Sequence, residues 1–421
     1  MKFPILFLYI LILSNSQILA QWSKIEAITS PFIFSALFDE NNIFVGGDSL
    51  YISRDSGKSW TATAPSGQTI EITALFKTDD IIFLGTYGSG IYISTNSGDS
   101  WQSFNNGLNS YALYAKKFVV SGDTVFYGTD GGGVYYTKLG SNLWISYNEG
   151  LLSNVAWTIN DLTVTSNNLI VSAGASGFYF VRPKGSAQWI EKRIQTPQGI
   201  YTTPNAFLST ENIVFFGSRF GIYKSLDEGN TFDSVGISAM DMSVVSFTKD
   251  KNRIYAGYTR SSGNDFFVWY SDDFGNNWNI FDHQFQFLLN LYVYDNKIWA
   301  GTNDGLWYKE LETTSSEPIE KPSNFKLEQN FPNPFNPSTK IKFSIPNVGS
   351  ELTKTVLKVY DVLGNEIAIL VDEYKPVGNY EVEFNASKLS SGVYFYHLQA
   401  GDPSTSSGQG FIETRKMILI K

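Results

Sequence analysis

The sequence has no cysteine, which removes disulfides, thiolate metal sites and a cysteine nucleophile at once. Histidine is almost as scarce. His283 and His397 are the only two and lie far apart, so a His-rich metal site is excluded and a His-based triad has one candidate at most. There is no basic excess either. The formal net charge is −9, which makes a phosphate backbone an improbable partner, and no nucleic-acid role is expected. After the N-terminus no apolar run is long enough to span a bilayer as a helix, and no convincing amphipathic helical stretch occurs.

What is present is aromatic and strand-forming. Hydrophobic residues make up 43% and aromatics 16%, with 24 Tyr, 32 Phe and 10 Trp beside 36 Gly. That composition supplies a packed core and favours strands and tight turns over helices. The N-terminus reads as a secretory signal peptide over residues 1–20. Lys2 is the basic start, Phe3 to Leu13 the apolar stretch, and Ser14 to Ala20 a more polar segment ending in a small residue.

Internal repetition decides the fold class. Ser53-Arg-Asp55-Ser-Gly57-Lys-Ser-Trp60 returns as Ser94-Thr-Asn96-Ser-Gly98-Asp-Ser-Trp101. It returns again as Ser225-Leu-Asp227-Glu-Gly229-Asn-Thr-Phe232 and as Ser271-Asp-Asp273-Phe-Gly275-Asn-Asn-Trp278. Weaker copies that have lost the Asp end at Trp144 and Trp189. The successive intervals from Trp60 are 41, 43, 45, 43 and 46 residues, the length of one four-stranded propeller blade. A second element, an apolar strand ending in glycine, occurs seven times, at Gly46, Gly85, Gly128, Gly174, Gly217, Gly257 and Gly301. Only six Trp or Phe positions follow these seven glycines. The mature N-terminus, with Trp22, can supply the seventh outer strand and close the ring.

The Ser/Thr-x-Asp-x-Gly-x-x-Trp pattern resembles the Asp-box, or bacterial neuraminidase repeat, over residues 21–311. The resemblance implies an all-β, seven-bladed β-propeller. That family holds sialidases, xyloglucan hydrolases, sortilin-type receptors and a photosystem assembly factor, so it leaves function open. Asp55, Gly57, Trp60, Gly98, Trp101, Asp227, Gly229, Phe232, Asp273, Gly275 and Trp278 are expected to be structural. The carboxylate staples a turn, glycine takes a positive φ, and the aromatic fills the gap between sheets.

Residues 312–325 are polar, with Pro318 and Pro322, and read as a linker. Residues 326–421 then show short strands at 341–345, 356–362, 380–384, 393–398 and 412–420, and about seven in all are expected. Asn330-Phe-Pro-Asn-Pro-Phe335, Tyr360-Asp-Val-Leu-Gly364, Leu389-Ser-Ser-Gly-Val-Tyr394 and Thr414-Arg-Lys-Met-Ile-Leu-Ile-Lys421 carry a resemblance to the type A sorting domain of the type IX secretion system. It implies a small Ig-like β-sandwich, outer-membrane secretion machinery as partner, and a secreted or cell-surface location reached through the periplasm. The Ser/Gly-rich extension 402–410 departs from that pattern and is expected to be a disordered loop.

Propeller geometry places the loops between second and third strands on one face with the blade junctions. Tyr87, Asp130, Arg219, Arg260 and Asp304 come from the former, Tyr111 and Trp157 from the latter. Such a set suits a sugar or peptide surface. A glycosidase would need two carboxylates about 5–10 Å apart, for which Asp130 and Asp304 are the candidates. The few arginines and the absence of an Arg-Ile-Pro signature argue against a sialidase. His283 beside Asp282 has no nucleophile motif with it. Gly131-Gly-Gly133 lacks the lysine and following helix of a phosphate loop. No catalytic residue, metal or cofactor is assigned. The expected function is an exported binding or scaffold protein recognising an extracellular glycan or protein. The alternatives are an extracellular glycoside hydrolase or lyase and an assembly factor for an envelope complex.

Overall fold

The protein is described by a computed structural model. It describes residues 21–421 except 66, 68, 152–156, 175–176, 197–198, 211–212, 236–241, 261–264, 285, 312–321, 347–352, 376 and 402–409. The signal peptide expected at residues 1–20, most of the linker and nearly all of the Ser/Gly-rich extension therefore lie outside the described residues. Among the described residues the one helical element is a single turn, Ser110–Leu113, capped by Asn109, whose side chain accepts from the Ala112 N–H at 3.0 Å. No helix is long and apolar enough to cross a membrane among them. The chain forms two compact units, the second carrying Thr314–Lys421.

The first unit is a β-propeller. Seven four-stranded antiparallel sheets follow one another between Ser23 and Glu310. We number these blades 1 to 7 by their residues: 35–63, 72–103, 115–146, 159–193, 206–234, 242–284, and 288–310 with the strand Ser23–Lys24. The innermost strands contact one another in cyclic order from blade 1 to blade 7 and back to blade 1. The recurrent glycine of the second strand has a packing cause. A Cβ on Gly85 would lie 2.4 Å from Ala115 Cβ in the next blade, and one on Gly217 would lie 2.2 Å from Val244 Cγ1. Only glycine lets the following blade seat this closely.

The ring closes with strands from both ends of the propeller sequence. Ser23 pairs with Tyr308 and Lys24 with Trp307, so the N-terminal strand is the outermost of blade 7. Trp22 is 6% exposed and meets Phe266 edge-on at 5.5 Å between ring centres. Seven glycine strands and six downstream aromatics are thereby reconciled.

The second unit is a β-sandwich. Lys326–Leu327, Ser338–Ile345 and Gly378–Asn385 form one sheet; Glu366–Lys375, Thr353–Tyr360, Gly392–Ala400 and Phe411–Leu419 form the other. Thr339, Ile341, Phe343 and Ile345 alternate inward, as a strand with one buried face requires. They meet Leu357, Val359, Tyr396, Leu398, Met417 and Leu419 in one core. The sequence pattern misses Glu366–Lys375 and runs the preceding strand too far, to 362. Asp361 ends it earlier. Its carboxylate accepts from the N–H groups of Leu363 at 2.8 Å and Asn365 at 2.9 Å, folding a turn whose apolar tip, Val362 and Leu363, is exposed.

Candidate functional site

The turns that end the third strands show why the repeated residues recur. In blade 1 the Ser53 hydroxyl donates to Asp55 Oδ1 at 2.8 Å and accepts from the Gly57 N–H at 2.8 Å. Asp55 Oδ1 also accepts from the Ser59 N–H at 2.8 Å, and Oδ2 from the Ser59 hydroxyl at 2.7 Å. The Trp60 indole N–H then donates to the Gly57 carbonyl at 3.0 Å. Asp227 and Asp273 repeat this set with Thr231 and Asn277. At Asn96 a neutral amide replaces the carboxylate, accepting from the Ser100 N–H at 3.0 Å and donating to its hydroxyl at 2.9 Å. Gly98 sits at φ +84°, and a Cβ there would lie 2.5 Å from the Phe44 ring of blade 1.

These bonds hold the carboxylates ionised. The Ser59 hydroxyl and N–H bring Asp55 down to about 2. Burial pushes Asp227 upward, but the Thr231 and Ser225 bonds outweigh it and leave it below the usual carboxylate range. A depressed value means stability that is complete above an ordinary carboxyl pKa of about 4 and is lost as the pH falls through the folded value. Asp227→Ala is expected to cost about 0.5–2 kcal/mol, as for loss of a side-chain cap on backbone amides. Asp227→Asn, imitating Asn96, is expected to keep most of the turn. Thermal melts at pH 7 and pH 3 check both: the wild type should lose more stability on acidification than the Asn variant, and equal losses would contradict this.

The opposite ends of the blades surround a cavity of about 410 Å³ on the propeller axis. All seven innermost strands or the residues just before them line it, including Phe34, Thr73, Lys117, Asp161, Asn205 and Asn290. Its wall is stitched from blade to blade. Thr73 donates to the Ala115 carbonyl at 2.8 Å, Asn205 to the Val244 carbonyl at 3.3 Å, and Asn290 to the Phe34 carbonyl at 2.7 Å. Asp161, only 5% exposed, joins three blades. Its Oδ2 accepts from the Phe207 N–H at 2.6 Å, and Lys117 Nζ stands 3.2 Å from Oδ1.

The residues proposed from sequence for this face fall into distinct settings. Tyr87 is 55% exposed and lines the axial cavity. Its ring meets Tyr114 edge-on at 4.9 Å. Tyr111 and Arg219 are also exposed. Asp130 is held by Lys116 at 3.1 Å and Asp304 by Lys24 at 2.8 Å. Arg260 lies 3.4 Å from Asp265 and 5.3 Å from the Phe267 ring centre. Trp157 is half-buried and packs on the core of blades 3 and 4, while its carbonyl accepts from the N–H groups of Gly131 at 3.0 Å and Gly133 at 2.9 Å. Gly131-Gly-Gly133 is thus the turn that clamps one blade to the next. Lys116, Lys117 and Asp161 were not singled out from sequence. The only signal was the charge itself on two inner strands, Lys116 and Lys117 on Ala115–Ser121 and Asp161 on Ile159–Val164.

In the sandwich the Pro-rich segment is tied to the last strand. Phe335 N–H donates to the Ile418 carbonyl at 2.9 Å, and Ile420 N–H to the Phe335 carbonyl at 3.0 Å. Asn333 Oδ1 accepts from the Ile418 N–H at 2.9 Å. Asn330, 2% exposed, donates to Thr339 Oγ1 at 2.9 Å, and its own N–H donates to the Tyr396 hydroxyl at 2.8 Å. The prolines remove donors where no ladder needs them, and both Phe331–Pro332 and Asn333–Pro334 are cis.

The chain is thus a β-propeller followed by a small β-sandwich that carries the Pro-rich segment. Residues 329–409 match the secretion system C-terminal sorting domain, so the protein is exported by the type IX system to the cell surface or the medium. Comparison with curated proteins finds no match. Among solved structures the chain is similar to YCF48 from Cyanidioschyzon merolae, at 17% identity and a TM-score of 0.53, covering 69% of this chain and 98% of that one. It is also similar to the extracellular domain of BT4673 from B. thetaiotaomicron, at 15% identity and a TM-score of 0.56, covering 94% of this chain and 47% of that one. PorZ, described as an essential surface component of the type-IX secretion system of Porphyromonas gingivalis, matches at 16% identity and a TM-score of 0.50, over 93% of this chain and 60% of that one. The chain thus spans about half of the second and three fifths of the third. At these identities the likeness establishes the propeller fold.

Proposed function

We propose that this chain is an exported recognition protein whose propeller binds an extracellular glycan or protein at the axial face, with residues 1–20 as signal peptide and residues 326–421 as the address for the outer membrane. The repeated turns are read as Asp-boxes and the ring as seven blades. The Asp-boxes are structural staples on the face away from the site. One observation carries the binding reading. The carboxylates offered by sequence on this face, Asp130 and Asp304, are each held by a lysine, while Tyr87 and Tyr111 stand exposed. Ion-paired carboxylates are poorly disposed as an acid and nucleophile pair, whereas exposed aromatic faces suit sugar rings and peptide side chains.

The test uses the full chain as secreted. A glycan array and a set of extracellular peptides are screened for binding, and the hits are re-measured with Tyr87→Ala and Tyr111→Ala. The expected result is a loss of affinity of about tenfold per ring, corresponding to roughly 1.4 kcal/mol, with Tm unchanged. Release of reducing ends from any glycan in the same panel would instead establish the hydrolase or lyase reading.

A further inference from the structure

The two repeats that have lost their Asp, in blades 3 and 4, share one backbone. Leu139 N–H donates to the Asp123 carbonyl at 2.8 Å, and Lys184 N–H to the Asn167 carbonyl at 2.8 Å. Ser141 N–H reaches the Lys138 carbonyl at 2.9 Å, and Ser186 N–H the Pro183 carbonyl at 2.9 Å. Gly140 and Gly185 both sit at φ +84°. In each, the tryptophan turns toward the preceding blade. The Trp144 indole N–H donates to the Phe104 carbonyl at 2.9 Å, and that of Trp189 to the Tyr147 carbonyl at 2.6 Å.

The two interfaces differ in what lies over the aromatic ring. In blade 4 the residue seven before the tryptophan is Arg182, and it is 5% exposed. Its guanidinium lies 3.3 Å from the Tyr147 ring centre. Nε donates to the Ser186 carbonyl at 3.0 Å and Nη2 to the Ala187 carbonyl at 2.8 Å. In blade 3 the residue seven before Trp144 is Thr137, too short to reach across. There a cavity of about 330 Å³ opens between blades 2 and 3, lined among others by Phe83, Phe104, Thr137, Ser141 and Asn142. Phe104 takes the place of Tyr147, and Ser141 and Asn142 take those of Ser186 and Ala187.

We propose that this cleft is a socket for a guanidinium group supplied in trans, the arginine side chain of a partner polypeptide. The ring of Phe104 offers the stacking face, and the carbonyls of Ser141 and Asn142 offer two acceptors in the plane. The protein thereby presents outwardly the ring and the two carbonyls with which it holds its own Arg182 one blade further on, where Glu149 also stands 3.5 Å away and is matched in the open cleft by the neutral Asn106. Lysine does not substitute, because its compact, strongly hydrated ammonium lacks the plane that stacks on the ring and the rigid fork that matches two carbonyls while stacked. Lys138 at the rim is held by Asp123 at 2.9 Å, and the net charge of −9 favours approach of a cationic segment. The site is lateral and independent of the axial face.

N-acetylarginine amide titrated into the full-length protein tests this, with the Trp144 indole N–H, bonded beneath the stacking position, read by NMR. A saturable shift with the arginine amide and none with N-acetyl-lysine amide is the expected result. Thr137→Arg should reproduce the blade 4 arrangement in cis, raising Tm and abolishing the response. The proposal is overturned by no shift in the wild type, by an equal shift with the lysine amide, by a Thr137→Arg protein of lower Tm, or by one that still responds.

Discussion

Deleting residues 21–27 is expected to lower the melting temperature of the propeller by about 6–10 °C. The deletion removes the strand that pairs Ser23 with Tyr308 and Lys24 with Trp307. It also removes Trp22, which is buried among Tyr255, Phe266, Val268 and Leu288. Loss of a buried Trp side chain costs about 3–5 kcal/mol, and a unit of this size loses roughly 2 °C per kcal/mol. The lost ladder adds to this, because the strand Gly305–Glu310 becomes an open edge prone to pair with other chains. Trp22→Ala alone should reproduce most of the Tm loss without the aggregation, which separates the packing contribution from the edge. Calorimetry and light scattering on the three proteins check it. An unchanged Tm in the deletion would show that the ring holds without its outer closing strand.

The second large effect concerns export. Removing residues 414–421 is expected to retain nearly all of the protein in the periplasm, as should truncation after residue 320. The short deletion takes out Met417 and Leu419, both buried in the sandwich core, at about 1.5–3 kcal/mol each. It also takes out the strand to which Asn333 and Phe335 are bonded. Those side chains are a large share of a typical domain stability of about 5–15 kcal/mol, and with the ladder to Gly392–Ala400 also lost the sandwich is expected to unfold, while the propeller keeps its own closure. Fractionation with an antibody to the propeller, with a protease-resistance assay on the periplasmic fraction, separates retention from degradation. Surface display of either truncated form at the wild-type level would contradict a sorting role for this domain.

The propeller was legible because its local rules repeat. A glycine wherever the next blade must seat, and a Ser-x-Asp-x-Gly turn or its Asn96 variant at the end of four third strands, leave a period of blade length that needs no knowledge of long-range contacts. The site was less legible, because its character is set by pairings between strands. Asp130 and Asp304 read as free acids in sequence, yet Lys116 on the inner strand of the same blade holds the first, and Lys24, 280 residues away in the closing strand, holds the second. Asp161 escaped notice since a single acid in an inner strand has no periodic signal. Trp157 was placed on the face by its position at a junction, and its ring packs inward because the neighbouring glycine turn holds its backbone down. In the sandwich, the strand-forming residues Val356, Leu357, Val359, Tyr360 and Val362 hid the Asp361 turn, which depends on side-chain acceptors that hydrophobic periodicity does not see.

The closing strand of blade 7 has a consequence for the order in which this molecule comes into being. Ser23–Lys24 leaves the ribosome before any other strand of the propeller, and its partner Gly305–Glu310 leaves last. Every blade between them can form its hairpins as it emerges, but the first-made strand must wait, unpaired, through some 280 residues of synthesis. Until the last hairpin arrives the chain is an open arc with two free ends. The joint between its two ends thus makes completion of the circle, rather than the folding of any single sheet, the event that commits the protein to its final form.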